Sequence, residues 1–273
     1  MPDADTVSYL YGVCRADAPA PPAVPSAPPL RLVRHGGLAA VVASVPADAF
    51  GTDGLEARLN DLEQLEVLAR AHNAVVDAVH AGTTVLPMRL ATVYLDDERV
   101  ADVLRAGAEN FGRLLDWLDG QEELGVKVYA IPTAAPVTAP VPEPGTAPDA
   151  PATAETGSES PGRAYLRRRQ AQRRSHRDAY RTAGDVAARL PQAVAGLARA
   201  RARHRPQQGE LASRVGENIA NEAYLVARSD LAGFRAAVAS LATDVPGVRV
   251  EVTGPWAPYS FTTHPDTEGA ATP

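Results

Sequence analysis

ELGVKVYAIPTAAP, residues 123–136, changes character half-way along. Leu124, Val126 and Val128 alternate with Gly125, Lys127 and Tyr129, the two-residue period of a strand with one face turned to a core. From Pro132 onward the alternation stops. Eight of the thirty positions 132–161 are proline, and no apolar side chain there is larger than valine. Proline fixes φ and removes a backbone donor, and so little apolar surface does not offset the entropy of ordering the chain. The stretch therefore reads as the last strand of one unit running into a largely disordered linker. This gives an N-terminal α+β domain at 1–131, a Pro/Ala-rich linker at 132–161, a C-terminal α+β domain at 162–261 and a flexible tail at 262–273.

On the N-terminal side, VSYLYGV (7–13) and LAAVVASV (38–45) read as strands. DAPAPPAVPSAPP (17–29) between them is a loop, because its prolines exclude sheet and helix. A long helix is expected from 54 to 80. Leu55, Leu59, Leu62, Leu65, Ala69, Val76 and Val79 fall on one stripe, with Asp53 at the start and Gly82 at the end. TTVLPMRLATVYL (83–95) suggests short extended pieces broken at Pro87. A second helix, 97–119, is capped by Asp96 or Asp97 and stopped by Gly120. The order β, β, α, extended, α, β suits an N-terminal α/β sandwich with helices on one face.

On the C-terminal side, residues 162–190 are helical and rich in arginine. Pro191 ends or kinks that helix, and a further helix is expected over QAVAGLARARARH (192–204). EAYLVAR (222–228) is a strand, Asp230 precedes a helix over LAGFRAAVASLAT, and GVRVEVT (247–253) is the final strand. It delivers GPWAPYSF (254–261), in which Gly254, Pro255 and Pro258 stiffen a sharp exit. Trp256, Tyr259 and Phe261 are expected to fold back as a C-terminal clasp.

Composition narrows the function classes. Apolar residues make up 45% of the 273, enough for cores built mainly from Ala, Val and Leu. No run of about 18 apolar residues is present, and the acidic start lacks the basic region of a secretory signal. Cys14, the single cysteine, excludes an internal disulfide and reads as a buried small apolar residue. One lysine stands against 26 arginines, so an isolated arginine counts as a generic positive charge. The net charge of −6 hides a block: residues 163–205 carry 13 Arg and 2 Asp, whereas 1–162 are strongly acidic.

Walker loops, GxSxG elbows, HExxH and CxxC pairs are all missing. Asn73, Asp77 and His80 share a helix face and offer a His–carboxylate pair for a metal or a proton, or else a solvated stripe. His72 lies near the apolar stripe and reads as a packed, hydrogen-bonded histidine. Arg89, inside the apolar run LPMRL, calls for a carboxylate such as Glu122 or Glu123. The arginine block suits nucleic acid, an acidic protein surface, or packing on the acidic N-terminal half of its own chain. With Tyr165 and Tyr180 its only aromatics and no nucleic-acid module in view, the two protein readings are preferred.

Three segments together resemble the GvpF/GvpL gas vesicle proteins. VLPMRLATVYLDDERV with ELGVKVY is similar to the middle of that family, and GRAYLRRRQAQRR to the start of its C-terminal half. NEAYLVARSDLAGFRAAVASL with GVRVEVTGPWAPYSF is similar to its closing block, and YLYGV is typical of its first strand. The likeness covers most of 7–131 and 162–261, and the long linker departs from the family's tighter join. It implies a non-enzymatic accessory protein of gas vesicle formation, cytoplasmic and associated with gas vesicles. It also implies a ferredoxin-like second domain with a long Arg-rich helical segment, no cofactor and no small-molecule substrate. Its partners would be the small hydrophobic shell protein and other accessory proteins. Candidate protein-binding or structural residues are Arg89, Arg167, Arg168, Arg169, Trp256 and Tyr259. The competing readings are a nucleic-acid-binding regulator using the arginine block and a small enzyme using Asp77 and His80.

Overall fold

The computed structural model describes residues 5–132, 161–206 and 216–263. The proline-rich run and the tail fall, but for their end residues, outside the described residues. Two antiparallel sheets organise the rest. The first contains β1 (Thr6–Arg15), β2 (Leu30–His35), β3 (Leu38–Pro46), β4 (Val85–Pro87) and β5 (Val93–Tyr94). Its order is β2-β3-β1-β4, with β5 also paired to β1. β2 was not expected. Its signal is the Gly36-Gly37 pair, which joins it to β3 as a two-residue hairpin with His35 opposite Leu38.

β1 is buried on both faces, so the expectation of helices on one face does not hold. Tyr9, Tyr11, Val41, Ala43 and Val45 face α3 (Leu62–His80), which contributes Leu68, Val75, Val76 and Val79. Leu10, Val13, Ala40 and Val42 face α4 (Asp97–Ala106) and α5 (Ala108–Leu118) on the other side. Both faces of β1 are apolar because both have a helix layer to bury.

Each long helix expected in this half is divided. α1 (Ala47–Phe50) and α2 (Thr52–Asn60) precede α3, and the chain breaks at Asp61. Asp61 leaves helical geometry and its carboxylate accepts from the N–H groups of Glu63 (3.0 Å) and Gln64 (3.2 Å), an N-cap placed inside the expected stripe. Leu59 and Leu62 are consequently exposed rather than in the core. Asp53 lies in the first turn of α2 rather than capping it. Asp96 caps α4 through the N–H of Arg99 at 2.9 Å. Gly107 separates α4 from α5, and a Cβ there would lie 2.6 Å from the Phe111 ring.

The second sheet has the order β7-β8-β6-β9, built from β6 (Gln121–Ala130), β7 (Ala200–His204), β8 (Glu217–Ala227) and β9 (Val248–Trp256). The strand that reads as the end of the N-terminal unit is thus an inner strand of the other sheet, paired to β8 and β9. Its alternation is satisfied there: Leu124 and Val126 pack with Tyr224, Val226 and Phe234. α6 (Pro161–Ala193) and α7 (Leu231–Ala242) cover that face. α6 runs through Pro191 to Ala193. The segment expected to continue as a helix turns at Gly196 (φ +81°) and becomes β7. There Ala200 and Ala202 pack toward α5 while Arg201 grips Glu222, an alternation that a strand accommodates and a helix does not.

The two sheets meet across α5 and β7. Arg199 lies 4.0 Å over the Trp117 ring and donates to the Trp117 carbonyl at 2.9 Å. Ala223, Leu225 and Phe261 join the cluster formed by α4, α5 and the first sheet, so the core is continuous between the sheets.

Candidate functional site: a polar seam under the C-terminal clasp, and an open groove

The polar face of α3 is not a solvated stripe. Asn73 is exposed, Asp77 is half-buried and His80 is buried. His80 Nε2 lies 2.8 Å from Glu122 Oε2, while Glu122 Oε1 accepts from Arg228 Nε at 2.6 Å. This bridge joins α3 to β6 and to the turn after β8. Asp77 accepts from the backbone N–H of Ala257, and burial raises its carboxyl above the usual range against the lowering effects of that bond and of His80.

The next residue of β6 faces the clasp. Glu123 accepts twice from Ser260, from its N–H and its hydroxyl, each at 2.7 Å. Burial raises the Glu123 pKa, opposed by these two bonds and by His204. His204 Nε2 lies 3.0 Å from the same hydroxyl. The serine proton is committed to a carboxylate that is itself held by a backbone amide, so this arrangement is a cross-link and not an activated nucleophile. Asp77 and His80 are likewise occupied in holding the clasp and β6.

Around this seam the clasp closes. Gly254 has φ +96°, a peptide bond in the cis form precedes Pro255, and Arg235 Nη2 donates to the Gly254 carbonyl at 2.6 Å. Ala257 and Tyr259 pack into the core below the first sheet, and Phe261 into the core between the sheets. Tyr259 is therefore a packing residue. Its hydroxyl is pushed well above its ordinary value by burial, then by Asp77, Tyr9 and Glu123. Trp256, expected beside it, is 47% exposed. The odd and even positions of a strand face opposite ways, and the end of β9 points this ring outward.

His72 is the packed histidine expected. Its Nε2 is 3.2 Å from the Met88 carbonyl, which only accepts, so Nε2 carries the proton. Nδ1 then accepts from the Tyr9 hydroxyl at 3.0 Å, and that hydroxyl accepts from Ala91 N–H. Burial lowers the His72 pKa to about 4, against the raising effect of the Met88 carbonyl. Cys14 is buried, and its thiol is pushed up to about 11 by that burial.

Arg89 is exposed, and the ion pair expected with Glu122 or Glu123 is absent: those carboxylates bind His80, Arg228 and Ser260. Arg167, Arg168 and Arg169 are exposed on the first half of α6. Among the described residues that helix packs chiefly on β6, β8, β9 and α7, so the part of the N-terminal half it meets is β6 rather than the first sheet. Among the described residues no cluster of three or more His, Cys, Asp and Glu side chains could hold a metal, and no helix is long and apolar enough to cross a membrane.

Sequence reasoning missed a groove of about 670 Å³ on the first sheet. It lies between α2 and β5, lined by Val7, Phe50, Leu55, Leu59, Val93 and Leu95 among others. Leu59 and Leu95 are 40% and 68% exposed. The exposure of Leu59 goes with the break at Asp61, which separates α2 from α3.

Residues 7–263 match the family described as gas vesicle synthesis protein GvpL/GvpF. The chain belongs to this family. It is 43% identical over 261 residues to gas vesicle protein L of Streptomyces sp. (strain CB03234), covering 94% of this chain and 93% of that protein. Gas vesicle protein F of the same strain is 33% identical over 125 residues, covering 44% of this chain and 47% of the relative. The crystal structure of GvpF from Anabaena sp. PCC7120 superposes with a TM-score of 0.61 at 17% identity, over 94% of this chain and 96% of that one. That of GvpF from Microcystis aeruginosa gives 0.57 at 16% identity, over 94% and 99%. The two-sheet α+β architecture is thus shared with GvpF structures. Membership gives this GvpL/GvpF protein a role in gas vesicle formation.

Proposed function

We propose that this GvpL/GvpF protein is an assembly factor or minor shell-associated component that binds the small hydrophobic shell protein in the groove between α2 and β5. The groove carries the reading. It exposes Leu59 and Leu95 beside a strand, β5, that pairs only through Tyr94 and Val93 with Ser8 and Tyr9 of β1. An apolar subunit needs cover before it joins a growing wall. A short edge strand beside an apolar trough accepts either an added strand or an amphipathic segment. Such a protein works at gas vesicles in the cytoplasm, and its partners are the shell protein and other accessory proteins. Within the chain we read β6, α6, β7, β8, α7 and β9 as a ferredoxin-like unit of split β-α-β type, with the first strand contributed from before the proline-rich run.

The test uses the full chain. Leu59→Glu with Leu95→Glu places charges in the trough at exposed positions, so the melting temperature stays within about 2 °C of the parent. Retention of shell protein in a pull-down falls at least tenfold. Undiminished retention would remove the groove from the mechanism.

A further inference from the structure

From Gly162 to Arg174 every side chain described on α6 is exposed, and the first buried residue of the helix is Ala179. At 1.5 Å per residue this is about 20 Å of helix whose described side chains are exposed. Between 161 and 181 it carries eight arginines and one acidic residue, Asp178. Arg163, Arg167, Arg174, Arg177 and Arg181 follow spacings of four, seven, three and four, which places them on one stripe. The stripe lies opposite the side that buries Ala179, Ala183, Val186 and Leu190. Leu166, which flanks the stripe, is 58% exposed; Tyr165 (54%) lies across the helix from it. A phosphate backbone rewards the arginines but not the leucine; a protein surface rewards both.

The complementary surface is on the same chain. The first two turns of α3 expose Leu62 (81%) and Val67 (67%) next to Asp61, Glu63 and Glu66. Here too a helix begins with bare apolar side chains set among charges, here mainly negative, with Arg70 paired to Glu66 one turn on. α6 leaves the start of α3 exposed on its own chain, since its principal contacts are with the second sheet and α7.

We propose that the arm of α6 docks on the start of α3 of a second copy of this chain, the arginine stripe against Glu63 and Glu66, and Leu166 against Leu62 and Val67. Two reciprocal contacts close a symmetric dimer, whereas head-to-tail contacts leave an open chain of copies. The surface is separate from the groove, whose exposed leucines are Leu59 and Leu95.

Sedimentation velocity of the full chain at 0.1 M and 1 M salt tests this. The screening length shrinks from about 10 Å to about 3 Å, and we expect self-association at low salt to weaken at least tenfold at high salt. Arg163→Glu/Arg167→Glu/Arg174→Glu, three positions of the stripe, is expected to be monomeric at 0.1 M salt with an unchanged far-UV circular dichroism spectrum. Mixing it with Glu63→Arg/Glu66→Arg is expected to regain association. A monomeric parent at 0.1 M salt, association indifferent to the triple change, failure of the mixed variants to pair, or binding of a duplex DNA probe in place of self-association would overturn the proposal.

Discussion

Replacing His72 with glutamine isolates one buried proton-binding group. His72 is 1% exposed, and its two ring nitrogens are committed to the Met88 carbonyl and the Tyr9 hydroxyl in the neutral form. The folded protein therefore takes up this proton only near pH 4, whereas the unfolded chain does so near the ordinary value of 6.5. Between those values the unfolded state holds more protons, so stability falls as the pH drops through the window and is fully present above 6.5. The whole gap is worth about 3 kcal/mol, of which about 2 kcal/mol is lost between pH 7 and pH 5. For a chain of this size that is about 4–8 °C in melting temperature. Glutamine can accept from Tyr9 and donate to Met88 without titrating. Urea unfolding of both proteins at pH 7 and pH 5, followed by circular dichroism, should show a drop about 2 kcal/mol smaller in His72→Gln. The Glu123 carboxyl, raised by burial, works in the opposite sense and is common to both proteins. Equal drops in the two would refute the placement of a neutral His72 in the core.

Four further outcomes follow from the packing. Phe261→Ala should cost about 3–5 kcal/mol because the ring is 5% exposed between the sheets. Trp256→Ala, at a half-exposed ring, should cost under about 1 kcal/mol, both changes being read in urea unfolding. Glu122→Ala strands His80 and the half-exposed Arg228 on either side of the seam, and a loss of about 2 kcal/mol or more is expected in urea unfolding. Gly107→Ala drives a methyl into the Phe111 ring and should cost about 1–3 kcal/mol, with the loss reversed by Phe111→Leu in the same background.

The elements legible in the sequence were those whose local pattern and final environment agree. β1 and β3 read as apolar runs and are apolar on both sides; His72 read as a packed histidine from its place beside the stripe. The breaks at Asp61 and Gly107 were hidden because the apolar spacing continues across them, and only the cap and the ring contact reveal that the helix does not. β6 carries a clear strand pattern, but pattern alone says nothing about which sheet receives it. The carboxylates Glu122 and Glu123 of the seam enter the sequence reading only as possible partners for Arg89. Their partners come from 42 residues upstream in His80 and 137 downstream in Ser260, separations over which a single sequence holds no pairing signal. The groove had no sequence signature, since it exists only where α2 fails to continue into α3.

The position of β6 has a consequence for how the polypeptide can be divided. A nick between 133 and 160 severs the chain between β6 and α6 and leaves every ladder of the second sheet in place. Two polypeptides would then share one hydrogen-bonded sheet, held also by the seam and the clasp. The N-terminal piece, alone, would be an obligate strand donor with Leu124, Val126 and Val128 uncovered; its counterpart would be a sheet with an empty central lane. A gene split within the proline-rich run would thus encode halves that are competent only as a pair.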